Sequence, residues 1–148
     1  MHKKTDRCLL AMALAVAALS VPLSMPAQDG GNHTPRILDL RAEPSAIGAA
    51  DNACTVSFVV DDPNGDYLSW SIQVSHTGDD DFVGDGDLSA SMGTDAPGVR
   101  VRVTYTAPSV WNPITVVLTV QATDDHGGWA APQWISVHVE PGGLGRAM

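Results

Sequence analysis

The sequence predicts an all-β domain of seven short strands, folded as two antiparallel sheets packed face to face. Three observations carry this expectation. Apolar residues recur at every second position in five separate runs, which is the period of a half-buried strand. Turn-forming residues separate the runs at the short spacing of sandwich loops. Within 28–148 helix formers are scarce, with no lysine and only Glu43 and Glu140, while Val, Ile and Thr abound.

Residues 1–27 stand apart from that pattern. Lys3, Lys4 and Arg7 form a positive head, Leu9 to Val21 is an apolar and small-residue run, and Pro22 closes it. The run falls short of the ~20 apolar residues that a membrane span needs. It reads as a helical signal peptide, with cleavage after Ser20 or Ala27. Cys8 precedes the apolar run, where a lipid-anchoring cysteine would follow it. The expectation is an exported chain, periplasmic or extracellular, with no membrane span after cleavage.

The strands follow in order. Residues 28–35 are polar, contain Gly30-Gly31 and are expected to be a flexible lead-in. The sandwich is expected over 36–140. Ile37 to Arg41 opens it, before Glu43-Pro44. In the second strand Val56, Phe58 and Val60 alternate, with Cys54 in phase as a small buried hydrophobe. Leu68, Trp70, Ile72 and Val74 mark the third, and Trp70 sits where sandwiches bury an aromatic. Asp87 to Met92 is a weaker fourth strand before Gly93. Val99, Val101, Val103 and Tyr105 alternate with Arg100, Arg102 and Thr104. Ile114 through Ala122 is the cleanest run, and Ile135, Val137 and Val139 form the last strand. Trp134 and His138 are out of phase with it and should face solvent. Residues 141–148, with Gly142, Gly143 and Gly145, are expected to be a flexible tail.

Charge and cysteine use exclude several classes. The chain carries 17 Asp+Glu against 8 Lys+Arg, a formal net charge of −9. Loss of 1–27 would remove both lysines and leave Arg36, Arg41, Arg100, Arg102 and Arg146 as the only bases. Such a surface repels phosphate backbones, so no nucleic-acid partner is expected, and it attracts cations. Cys54 would be the only thiol left, which rules out an intrachain disulfide and leaves a buried thiol or an intermolecular bond. There is no G-x-S-x-G and no papain-like cysteine context. Cys54 is followed by Thr, Val and Ser rather than blue-copper ligands, and no histidine pair has zinc-site spacing. No enzyme is expected.

Four segments carry a resemblance. Asp61-Asp62-Pro63-Asn64-Gly65-Asp66-Tyr67-Leu68-Ser69-Trp70 resembles the D-P-[DN]-G-D-x-L-x-[YW] run of bacterial Ig-like, PKD-like and cadherin-like domains. Val120-Gln121-Ala122-Thr123-Asp124-Asp125-His126-Gly127-Gly128 is similar to their V-x-A-x-D-x-x-G-G turn. Thr104-Tyr105-Thr106-Ala107-Pro108 and Asn32-His33-Thr34-Pro35-Arg36-Ile37 are similar to their Y-T-A-P and N-x-x-P-x-I segments. Together they cover about residues 32 to 140. The resemblance implies an Ig-like β-sandwich serving adhesion or scaffolding in exported proteins. Against true cadherins the D-x-N-D-N linker and L-D-R-E segment are missing.

A calcium site is the leading chemical candidate. In a seven-strand sandwich the two acidic loops and the lead-in share one pole, which would gather Asp61, Asp62, Asp66, Asp124, Asp125 and Asn32. Clustered carboxylates repel one another without a cation, and calcium takes six to eight hard oxygens. Cadherin-like families use aspartates of these loops in this way. The competing reading makes the same aspartates turn caps. A second acidic stretch, Asp79 to Asp87, fails an EF-hand count, with Val83 and Ala90 at ligand positions, and reads as a solvated loop. The functional alternative is a carbohydrate-binding module in which Trp111, Trp129 and Trp134 stack on sugar faces. Trp111 could instead plug the sandwich end, and Trp129 could pack over the acidic pole. The expected partner is a protein or a cell-surface polysaccharide.

Overall fold

The computed structural model describes residues 31–48, 51–77 and 84–142, and the signal-peptide expectation lies outside them. No helix among these residues is long and apolar enough to cross a membrane. Among the described residues nine strands are formed: β1 (Arg36–Glu43), β2 (Ala46–Ile47), β3 (Ala53–Asp61), β4 (Leu68–Thr77), β5 (Asp87–Leu88), β6 (Met92–Asp95), β7 (Val99–Thr106), β8 (Ile114–Asp124) and β9 (Gln133–Val139). A four-stranded sheet has the order β1-β3-β7-β5, and a five-stranded sheet has the order β2-β9-β8-β4-β6. Every pairing is antiparallel except β2 with β9.

Six of the seven expected runs each fall within one strand, the Asp87–Met92 run is divided between β5 and β6, and the count of seven is corrected to nine among the described residues for two reasons. The first is that the chain leaves the four-stranded sheet after Glu43 and adds Ala46–Ile47 to the other sheet, with Ser45 and Ile47 carbonyls accepting from His138 and Glu140. The second is that the Asp87–Met92 run does not stay in one sheet. Ser89 N–H still bonds Thr104 of β7, whereas Ser91 carbonyl already accepts from Ile72 of β4. Both crossings depend on partners remote in sequence, which a local period cannot display.

The two inner faces build one core. Val56, Phe58 and Val60 of β3 and Tyr105 of β7 are fully buried, opposite Leu68, Val116, Leu118, Val120 and Val137 of the other sheet. Phe58 and Trp70 meet edge to face across the sandwich, with ring centroids 5.5 Å apart and planes at 81°. Gly93 makes room for that indole, because a β-carbon there would lie 2.5 Å from Trp70 Cζ2. Trp70 Nε1 then donates to Asp95 Oδ2 at 2.8 Å, so its polar tip is satisfied. Cys54 is buried, as its phase implies, and burial pushes its thiol pKa up.

Strand β1 breaks its own register between Leu38 and Arg41. Asp39 takes a left-handed φ of 53° there, a conformation Asp tolerates better than most residues. The bulge leaves Leu38 exposed and Leu40 packed on the core, and it disrupts what would be a flat free edge. The lead-in, expected to be loose, carries no strand over residues 31–35 but is tied down. Pro35 is fully buried, Asn32 bonds Asp124, and His33 N–H donates to Asn64 Oδ1 at 2.7 Å.

Candidate metal centre at the loop pole

Strand phase decides which aspartates face inward. The alternation that buries Phe58 and Val60 continues past β3 and buries Asp62. The alternation that buries Val120 and Ala122 ends on Asp124, the last residue of β8. Both carboxylates therefore sit on the inner side of their sheets, at the rim of the core. Asp62 is 5% exposed and Asp124 6%, and these are the only buried charged residues among those described.

Each of the two divides its oxygens between two tasks. Asp62 Oδ1 accepts from Asn64 N–H at 2.7 Å, capping the Pro63-Asn64-Gly65 turn. Asp124 Oδ1 accepts from His126 N–H at 2.9 Å and Gly128 N–H at 2.7 Å, capping the second turn in the same manner. The remaining oxygens face the pole. Asp124 Oδ2 accepts from Asn32 Nδ2 at 2.7 Å, and Asp62 Oδ2 is buried with no hydrogen-bond partner. Turn cap and cation ligand, posed as rivals by the sequence, are compatible in one side chain.

Asp66 completes the cluster. Carboxylate oxygens of Asp62, Asp66 and Asp124 all lie within 4.8 Å of one another. Gly128 closes over them, since a β-carbon there would collide with Asp124 Oδ2 and lie 2.8 Å from Asn32 Nδ2. Burial works to raise the Asp124 pKa, but the hydrogen bonds from Asn32, Gly128 and His126 outweigh it and hold the carboxyl below its ordinary value.

The other expected residues fall into place differently. Asp125 is exposed and belongs to a second group with Asp66 and His126. His126 Nδ1 lies 3.1 Å from Asp66 Oδ2 and 2.7 Å from Asp125 Oδ1. The Asp66 carboxylate, then Asp125, raises the His126 pKa above the usual imidazole value. Sequence reasoning passed over this histidine, because only the fold brings it to Asp66. Asp61 is in neither group. It pairs with Arg36 in the opposite phase to Asp62, on the outer side of the four-stranded sheet. Asn32 presents its amide nitrogen, not its oxygen, to Asp124.

The tryptophans separate. Trp111 is 77% exposed near the opposite end of the sandwich, so it is not a plug. Trp129 does not cover the acidic pole. It pairs through its backbone with Thr123 and, with Met92, borders a cleft of about 420 Å³ floored by Ser69, Ser71, Gln121 and Thr123. That cleft lies on the outer face of the five-stranded sheet. Trp134 is exposed on the same sheet, opposite Thr119.

No family profile matches the chain, and no curated protein matches it. Among solved structures it is similar to the PKD domain of an M14-like peptidase from Thermoplasmatales archaeon SCGC AB-540-F20, at 23% identity and a TM-score of 0.56, covering 74% of this chain and 99% of that one. The N-terminal domain of PorA matches at 15% identity and a TM-score of 0.48, covering 74% and 100%. The apo-form Calx CBD1 domain matches at 14% and 0.45, covering 74% and 98%. The described domain shares the β-sandwich fold of that PKD domain.

Proposed function

We propose that the domain is a non-enzymatic adhesion or scaffold module of an exported protein, stiffened by calcium at its loop pole. The observation that carries this reading is Asp62 Oδ2, a buried carboxylate oxygen without a hydrogen-bond partner, grouped with Asp66 and Asp124. Leaving such an atom unsatisfied is costly, and a cation is the partner that its charge and neighbours call for. The donors are hard oxygens, the type calcium selects. Asp62, Asp66 and Asp124 would hold the ion, with water or carbonyl oxygens completing its shell. Bound calcium would offset the repulsion among the carboxylates and link the lead-in and both turns.

The test is a thermal melt of the full chain in chelator and across a calcium titration, with magnesium and zinc as controls. The expected result is a saturable, calcium-selective rise. At a hundredfold excess over Kd, linkage stabilises the native state by about 2.7 kcal/mol. Asp62→Asn keeps an acceptor for the turn and removes the charged oxygen's role, so it should abolish the rise and leave the fold intact. A flat calcium response, or an equal one in Asp62→Asn, would overturn the reading. A preference for zinc would move the site to Asp66, Asp125 and His126.

A second reading is favoured by the cleft between Met92 and Trp129. The exposed indole of Trp129 beside small hydroxyl and amide side chains suits the apolar faces and hydroxyl rims of neutral sugars. Trp129→Ala should then cut retention on a polysaccharide column without lowering the melting temperature. Trp111→Ala, at the far end, should change neither.

A further inference from the structure

The four-stranded sheet carries a charge pattern that the net charge conceals. All four Lys or Arg residues among those described, Arg36, Arg41, Arg100 and Arg102, fall on its outer face, interspersed with the acids Asp39, Glu43 and Asp61. Strand register sets them beside hydroxyls. Arg41 pairs with Ser57, and Ser57 pairs in turn with Arg102, so one serine lies between two arginines whose Cα atoms are about 10 Å apart. Arg100 follows on β7, about 7 Å from Arg102. These three arginines with Thr55, Ser57 and Glu43 line a groove of about 340 Å³.

The ion pairing is sparse for so acidic a chain. Arg100 bonds Asp39 at 3.0 Å, whereas Arg36, Arg41 and Arg102 form no ion pair among the described residues. With twice as many acids as bases, internal neutralisation would be the default. We infer that this face binds an anionic polysaccharide, with a sugar carboxylate seated over Ser57 between Arg41 and Arg102. Guanidinium forks take carboxylates in two parallel hydrogen bonds, and the Thr55 and Ser57 hydroxyls suit the flanking sugar hydroxyls. The groove has no aromatic or aliphatic anchor of the kind that dominates protein interfaces. This face lies apart from the Asp62–Asp66–Asp124 cluster, and the inference does not depend on calcium.

The experiment is affinity electrophoresis of the full chain in chelator, in gels containing polygalacturonate, dextran, polyglutamate or duplex DNA. Retardation by polygalacturonate alone, weakening as salt rises, is the expected result. Arg41→Gln with Arg102→Gln should weaken it about tenfold or more. Ser57→Asp, which places a carboxylate between the two arginines, should do the same if the double variant fails to fold. Equal mobility in polygalacturonate and dextran, or undiminished retardation of either folded variant, would overturn the inference. Stronger retardation by polyglutamate or by DNA would overturn it too, assigning the face to an acidic protein or to nucleic acid.

Discussion

Asn32 donates its side-chain amide to Asp124 Oδ2 at 2.7 Å across a sequence separation of 92 residues, fastening the lead-in to the last turn of the sandwich. Asn32→Asp replaces that donor with a fourth carboxylate. In chelator the change should lower the melting temperature by several degrees, because the bond becomes a like-charge contact. In calcium the same change should enlarge the metal-dependent rise, since it adds an oxygen ligand. Melts of both proteins with and without calcium check the two halves together.

Gly93→Ala tests the fit of Trp70 into the core. The new methyl would lie 2.5 Å from Cζ2 and 2.7 Å from Cε2 of an indole already engaged with Phe58 and Asp95. Overpacking of this kind costs about 1–3 kcal/mol. Trp70→Phe in the same background should recover part of the loss, and chemical denaturation of the three proteins measures it.

Tyr105 should make the fold sensitive to alkali. Its hydroxyl donates to Asp85 carbonyl at 3.0 Å, and its pKa is pushed up to about 12 by burial first and then by Cys54 and Asp85. The unfolded phenol releases its proton near 10, ahead of the folded one. Stability is therefore intact below pH 10 and falls between 10 and 12, by up to about 1.4 kcal/mol per pH unit. Tyr105→Phe should flatten that decline while losing about 0.5–1.5 kcal/mol at neutral pH with the hydrogen bond. Denaturation curves across the alkaline range decide the matter.

His126 gives a signature of the same sign at lower pH. Asp66 and Asp125 favour its protonated form, so a metal-free NMR titration should place its pKa above the ordinary histidine range. The stabilisation is fully present below the unfolded pKa and fades as pH rises through the folded one. Asp66→Asn should move the titration back toward the ordinary value.

Much of the fold was legible because alternation is local. The phase of Val56, Phe58 and Val60 placed Cys54 inside, and that of Ile135 and Val137 placed Trp134 and His138 outside, as the structure has them. What escaped depends on pairing between distant segments. Ala46–Ile47 is too short to show a period, and the sheet change between Ser89 and Ser91 is set by β7 and β4. At the pole, loop proximity follows from a sandwich topology, but only strand phase separates inward Asp62 from outward Asp61. The arginine face was hidden in a net charge, because Arg41 and Arg102 become neighbours only through the register of β1, β3 and β7.

The placement of the terminal strands has a mechanical consequence. Strand β1 starts at the loop pole, where Arg36 pairs with Asp61, and β9 finishes at the far end, where Val139 pairs with both Ile114 and Ile47. Tension applied through Gly31 and Pro141 thus runs along the strand axes, sliding β1 against β3 and β9 against β8 and β2. Rupture in that direction must break a ladder of backbone bonds together, where peeling would break them one by one. The bonds of Asn32 to Asp124 and of His33 to Asn64 stand at the head of the loaded path, so they bear the pull before any strand does.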